Sequence, residues 1–364
     1  MFFFILCCPL SSMTNPISII GALLLCLSAS AQSSLSNLSS VTIDLDSSTR
    51  SYTGTLTFRH FQVMDARPDT ARIGIHAFIP TLGSQHNRQL VFRQTAASEI
   101  AGFLNAHFTR PDAPYTALIV LRNLWLSDAN YRREEKLKNP AILHERTHIR
   151  LKAEIYAVED SLFTPVLRFD TLQAYKRDNR YTSIVTYYSI WNRDVTAILC
   201  DMADSAARLT TARQGKGRQL HLEEIMKWNQ SRFETPITGN IALTPGVYTG
   251  FEECRNNKPS LQHFEIRMEN NYRLLYISES GGSTYYSHEA WGCCDGKNIY
   301  MMHDGVLYPV WREDRAFYFL APPTPPALGP DGKPIAPEYF TTTSRAETNQ
   351  RRIYAVDMDS GKTY

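Results

Sequence analysis

The chain has 364 residues, 43% of them hydrophobic and 11% aromatic, and its 38 basic and 36 acidic side chains leave a formal charge of +2. This is the composition of a folded chain long enough for two ordinary domains, which excludes wholesale disorder. So even a charge balance leaves no field to gather a phosphate backbone or an anionic membrane surface, and nucleic acid is not an expected partner.

The apolar run from Ile19 to Leu27, followed by Ala29-Ser30-Ala31, has the length and small-residue ending of a signal peptide cleaved after Ala31. It is short for a transmembrane helix. No Lys or Arg occurs before Ser40, so the positive n-region shrinks to the terminal amine. Translation from Met13 instead of Met1 would bring that amine nearer the apolar run. Cys26 follows three leucines, whereas a lipid-anchored signal wants a small residue there. The expectation is an exported protein, periplasmic, extracellular or associated with the outer membrane, whose mature chain has no transmembrane segment. Export lets disulfides persist. Beyond the signal remain Cys200, Cys254, Cys293 and Cys294. Adjacent cysteines rarely bridge, so Cys254 with Cys293 or Cys294 is the pairing to test, against four buried free thiols. Without a Cys-x-x-Cys, neither a zinc ribbon nor a thioredoxin-type site is indicated.

After a polar leader (residues 32–51), residues 52–210 read as an α+β domain. Thr53 to Val63 and Ala71 to Ile79 alternate as strands around the turn Asp65-Ala66-Arg67-Pro68-Asp69. Ser98 to Phe108 has helical spacing and is stopped by Pro111. Tyr115 to Leu126 suits a central strand, and the charged stretch Ser127 to Pro140 reads as a solvated connector. From Ile149 to Val158 one face carries Ile149, Leu151, Ala153, Ile155 and Ala157, the other Arg150, Lys152, Glu154 and Tyr156. Phe163 to Tyr175 pairs with it as a hairpin. A helix over Thr182 to Leu209 buries Tyr188, Trp191, Val195, Ile198, Leu199 and Met202 in one stripe, with Cys200 off it. Helices on one face of a sheet result. The strand and turn Phe61 to Gly74, with Leu124-Trp125-Leu126, resemble the small α+β domains of bacterial envelope lipoproteins that accompany transport systems. That resemblance implies fold alone.

Residues 211–242 read as a linker with a short helix, His221 to Phe233, that turns Leu222, Ile225, Met226 and Trp228 inward. From residue 243 the turn signals crowd together: Asn256-Asn257-Lys258-Pro259, Glu269-Asn270-Asn271, Gly281-Gly282, Asp295-Gly296, Asp304-Gly305 and Glu313-Asp314. They separate short aromatic segments, the pattern of an all-β barrel or sandwich. Residues 321–337, with seven prolines, form a loop rather than a strand. The pattern Gly246-Val247-Tyr248 through Phe251-Glu252-Glu253, with Asn257 and Pro259, and Ala290-Trp291-Gly292 with Asp295-Gly296-Lys297 and Tyr300, resembles one recurring in uncharacterised exported envelope proteins of Gram-negative bacteria. The resemblance implies an envelope protein and carries no catalytic residues.

His144-Glu145-Arg146-Thr147-His148 is an H-E-x-x-H. On a helix, His144 and His148 would hold Zn²⁺ while Glu145 activates its water. Here the alternating strand begins at His148, which moves the histidines from about 6 Å apart towards about 13 Å in extended chain. Arg146 puts a cation inside the motif, and no third ligand stands out among Glu154, Glu159 and Asp160. Surface histidines are the favoured reading, and no cofactor is expected. Glu252-Glu253, as strand neighbours, would face opposite ways. Trp291, Tyr300, Trp311 and Tyr318 are candidates for a surface that binds a protein, peptide or glycan, although a small β domain needs such residues for its own core. The sequence therefore points to a non-enzymatic binding or structural protein, with a zinc-dependent hydrolase as the alternative.

Overall fold

The computed structural model describes residues 35–45, 56–78, 86–132, 143–178, 184–212, 217–239, 241–279, 282–322, 326–335 and 351–364. The expected signal peptide lies outside these residues, as do parts of the leader and of the proline-rich segment. The fold is α+β. The first sheet is built from β1 (Ser40–Thr42), β2 (Phe58–Asp65), β3 (Gly74–Phe78), β4 (His86–Val91), β5 (Tyr115–Arg132), β6 (Leu143–Glu159) and β7 (Leu162–Asp178). Its order is β1-β4-β3-β5-β6-β7, and β2 also pairs with β5. β2 and β3 run parallel to β5 at successive places along it, while β5, β6 and β7 form an antiparallel meander. The stretch Ser127–Arg132, expected as connector, continues β5 and pairs with β6. Its polar side chains carry no apolar alternation, so only the pairing reveals the strand.

One face of this sheet carries the main core. Ala117, Ile119 and Leu121 of β5 and Ile149, Leu151, Ala153, Ile155 and Ala157 of β6 pack there against α1 (Ala96–His107) and α2 (Ile184–Ala212). The alternation read from β6 is therefore its true in-out pattern. On α2, Trp191, Val195, Ile198, Leu199 and Met202 are fully buried, and Cys200 also reaches this core; the Tyr188 side chain lies outside the described set. Each such aliphatic side chain contributes about 1.5–3 kcal/mol. Thr95 caps α1 by accepting the Ser98 N–H at 3.2 Å. Further along, Asn105 accepts the Phe61 N–H at 2.8 Å and donates to its carbonyl at 2.9 Å, occupying backbone groups on the open side of β2.

β5 contains the irregularity that matters most. Its core-facing positions are odd up to Leu121 and even from Leu124, because Arg122 is an extra residue between the Leu121–Ala153 and Asn123–Lys152 pairs. This β-bulge turns Arg122 and Asn123 together towards the second face of the sheet.

The C-terminal half contains two antiparallel sheets. Strands β8 (Gly246–Tyr248), β12 (Gly292–Cys294), β13 (Ile299–His303), β14 (Val306–Glu313), β15 (Ala316–Ala321) and β16 (Arg352–Ala355) form one, in the order β16-β15-β14-β13-β12-β8. β9 (Phe264–Glu269), β10 (Tyr272–Ser278) and β11 (Thr284–Ser287) form the other, with β10 central. The hairpin turns fall at the expected places: Asn270, Asn271, Asp304 and Asp314 all take positive φ, as tight turns demand. A core of Val247, Leu275, Ile277, Cys293, Met302 and Leu307 lies between the two sheets. The opposite face of the six-stranded sheet packs Tyr248, Cys294, Phe317 and Phe319 against Cys254 of α4 (Phe251–Arg255). α4 is a correction: Glu252 and Glu253 sit on a helical turn, not in a strand. Glu253 accepts from Thr249 N–H at 2.8 Å and from the hydroxyls of Thr249 and Ser260 at 2.7 and 3.0 Å, which local geometry favours over extension.

Leu38–Tyr364 forms one compact unit. The second face of the first sheet is covered by α3 (Leu222–Phe233) and by the C-terminal half. α3 turns Ile225, Asn229 and Phe233 inward, an i, i+4, i+8 stripe, and of the four residues expected inward only Ile225 is buried. Met226 and Trp228 are 51% and 57% exposed. No helix among the described residues is long and apolar enough to cross a membrane.

Candidate functional site

The second face of the first sheet brings charged residues together from distant parts of the chain. Arg122 donates to Glu154 at 2.9 Å and to Asp359 at 2.5 Å. Lys152 donates to Asp357 and lies 3.5 Å from Asp359. Arg232, from α3, reaches Glu154 at 3.3 Å and Asp359 at 3.6 Å. Three cations thus meet three carboxylates, all largely shielded from water, so desolvation is offset by mutual charge and hydrogen bonding. Burial alone would raise the Asp357 pKa, but the hydrogen bond and charge of Lys152, with the Asp359 N–H, hold it below the usual carboxylate range. The turn that presents both aspartates closes with Gly361 N–H donating to the Asp357 carbonyl at 2.7 Å. Trp291 Nε1 donates to the Gly361 carbonyl at 3.1 Å and keeps the turn in place. A second cluster, Asp69, Arg72, Glu313 and Tyr318, ties the β2–β3 turn to β14 and β15: the Tyr318 hydroxyl donates to Asp69 at 2.5 Å, and Arg72 binds Glu313 at 2.9 Å.

Next to the first network opens a groove of about 540 Å³ between α3 and the β6–β7 hairpin. Ile225, which shares a small apolar cluster with Tyr156, lines it, and the β6–β7 hairpin borders it at Ile155, Val166 and Leu167, whose side chains belong to the main core. Glu154 and Tyr156 line it as well, the phenol donating to the carboxylate at 3.0 Å. Burial, and then the Glu154 charge, push the Tyr156 pKa well up, so the phenol stays a donor. Arg218 and Glu224 close the rim as an exposed pair at 2.9 Å. Trp228 stands over the groove, with the Arg232 guanidinium 5.2 Å from its ring centre. Burial is the largest reason the Arg232 pKa lies below its ordinary value. Asp359 and Glu154 oppose that shift, while the positive charges of Arg122 and Arg168 add to it. Arg168 is the exposed member of this group and makes no ion pair among the described residues. Ile225, the exposed ring of Trp228 and a guanidinium that makes no ion pair among the described residues make a site suited to holding a ligand.

Of the residues expected to form a binding surface, Tyr318 is buried, and Trp291, Tyr300 and Trp311 are half-buried. Tyr318 is 1% exposed, wedged between the two halves beside Trp125 at 5.8 Å. Trp311 pairs with Tyr318 across β14 and β15. Trp291 packs on Phe251 and the Gly361 turn, and the Tyr300 hydroxyl donates to Asp295 at 3.0 Å. Each serves the packing of its own neighbourhood.

Cys254, Cys293 and Cys294 are buried thiols, as is Cys200. Strand alternation puts Cys293 and Cys294 on opposite faces of the six-stranded sheet, so only Cys294 shares a core with Cys254. Of the two arrangements left open by the sequence, the structure has the four buried free thiols. Burial first, and then the Cys294 charge, push the Cys254 pKa up and keep it protonated.

The backbone of His144-Glu145-Arg146-Thr147-His148 lies within β6, paired to β5 on one side and β7 on the other. The side chains of His144 and Glu145 lie outside the described set. Extended backbone places the two histidine Cα atoms on the order of 13 Å apart, not one helical turn. No group of three or more His, Cys, Asp or Glu among the described residues is arranged to hold a metal ion.

Sequence reasoning missed Trp228, Arg168 and Glu154 as members of one site. The available signal was the polar Asn229 between Ile225 and Phe233, which marks a stripe different from the one that hydrophobicity alone selects.

No family model and no curated protein matches the chain. A solved structure of an uncharacterized protein aligns with 46% of this chain and 97% of its own length, at 7% identity and a TM-score of 0.25, a likeness that carries no argument about fold or function.

Proposed function

We propose that this is an exported protein of the bacterial cell envelope with a binding role, and that the groove between α3 and β7 is its binding site. The observation that carries this reading is Trp228, 57% exposed over a cavity of about 540 Å³ instead of buried in the core below it. An indole left in water costs solvation, and such residues serve as anchors at binding surfaces. Export rests on the apolar run Ile19 to Leu27 with its Ala29-Ser30-Ala31 ending, and the envelope on the resemblance of the Gly246 to Tyr300 pattern. Replacement of Trp228 by a photo-crosslinking residue in intact cells tests both parts. A specific adduct formed from an envelope fraction, and absent when the same residue replaces exposed Ile241, is the expected result. Failure to form any specific adduct, or retention of the protein in the cytoplasm, would sink the reading. The zinc-hydrolase alternative is answered by metal analysis of the purified protein: stoichiometric zinc lost on His144→Ala would restore it.

A further inference from the structure

The groove is walled on one side by β7. β7 is last in its sheet's order, so no strand among the described residues takes up its outward N–H and C=O groups. At one place the chain itself pairs there: Phe163 and Leu220 exchange both backbone hydrogen bonds, each 2.9 Å. The chain then leaves the edge to enter α3. Beside this bridge the edge is blunted by Pro165, which has no N–H, and by the extra residue Val166 between the Ile155–Leu167 and Tyr156–Pro165 pairs. From Leu167 to Ala174 there is neither proline nor register shift, and no backbone partner on the outer side among the described residues. A long, regular, uncovered edge is a template for another strand, and natural proteins normally protect it.

The charges beside this edge select the occupant. Asp170 is paired with Arg150 at 2.5 Å, Glu154 with Arg122 and Arg232, and Glu224 with Arg218. Arg168 stands opposite Glu154 in the ladder, but that carboxylate is already shared by Arg122 and Arg232, and Arg168 makes no ion pair among the described residues. A second copy of β7 would bring a second Arg168 to the interface, whereas an acidic strand would neutralise the first.

We propose that the edge from Leu167 to Ala174 accepts an extended acidic peptide segment of another protein as an added strand. Its backbone continues the ladder begun by Leu220, a carboxylate meets Arg168, and an apolar side chain enters the groove under Trp228. This deepens the groove reading and rests on it. The test is selection from a display library of random peptides of about ten residues on the purified protein. Sequences alternating acidic and apolar residues are expected. Their synthetic forms should lose tenfold or more in affinity for the Arg168→Glu variant, whose exposed site leaves the fold intact by circular dichroism, and equally on N-methylation of alternate peptide amides. Enriched peptides without acidic residues, affinity unmoved by Arg168→Glu or by N-methylation, or a concentration-dependent dimer whose formation excludes peptide would each overturn the inference. If no peptide is selected while the Trp228 adduct still forms in cells, strand addition fails and the groove reading stands; if the adduct is absent as well, both fail.

Discussion

Replacing Lys152 by Met probes the contact that joins the two halves of the protein. Lys152 and Asp357 are 4% and 3% exposed. The substitution keeps the length of the side chain and removes the ammonium, leaving a buried carboxylate with only the Asp359 N–H and its own turn for company. Losing one partner of a buried pair costs about 3–5 kcal/mol. At about 2 °C per kcal/mol for a chain of this size, Tm should fall by about 6–10 °C. The effect must also depend on pH. Asp357 has a folded-state pKa held below that of the unfolded chain, so it contributes stability above about pH 4 that is lost as pH falls through the folded value. In the variant, burial acts without Lys152 and the carboxyl takes up its proton at a higher pH. The gap between the two proteins should therefore narrow as pH falls from 7 to 3. Adding Asp357→Leu to the variant removes the orphaned charge and should recover most of the loss. Calorimetry across that pH range reads all three expectations. A gap that stays constant with pH, or a double variant less stable than Lys152→Met alone, would refute the reasoning.

Trp228→Ala should change stability by less than about 1 kcal/mol, because the ring is mostly in water, yet abolish selection of peptides by the groove. Gly361→Ala should cost more than about 1 kcal/mol in chemical denaturation: Gly361 has φ +72°, and an added Cβ would lie 2.4 Å from the Phe251 side chain. Cys200, Cys254, Cys293 and Cys294 should resist a thiol reagent in the native protein and all react once it is denatured; rapid native reaction would show that these cores open. Mass measurement of protein recovered from an oxidising compartment should give reduced Cys254 and Cys294, and a loss of two hydrogen atoms there would contradict the buried-thiol arrangement.

Where one periodicity dominated, the sequence was sufficient. The two-residue alternation from Ile149 to Ala157, the helical stripe from Trp191 to Met202 and the turns at Asn270, Asp304 and Asp314 each depend on neighbours along the chain, and all appear as read. The α+β class follows from them. Local reasoning failed where two signals competed. Gly250 to Arg255 looks extended by composition, but Glu253 finds its hydrogen bonds in a helical turn. Ser127 to Arg132 looks like loop because its alternation is polar, yet it pairs with β6.

Side-chain identity determined which residues can carry charge, aromatic surface or thiol, and backbone periodicity determined most of the elements that hold them. Which of those side chains meet was decided by tertiary structure. Arg122 reaches Asp359 because a bulge in β5 turns it away from the main core. Trp228 overlooks a groove because Ile225, Asn229 and Phe233 take the inward stripe of α3, and Tyr318 is buried because the first sheet closes over it. Each outcome depends on a partner more than 80 residues away in the chain or on a competition among helix faces, and no local pattern encodes which face a distant surface will choose.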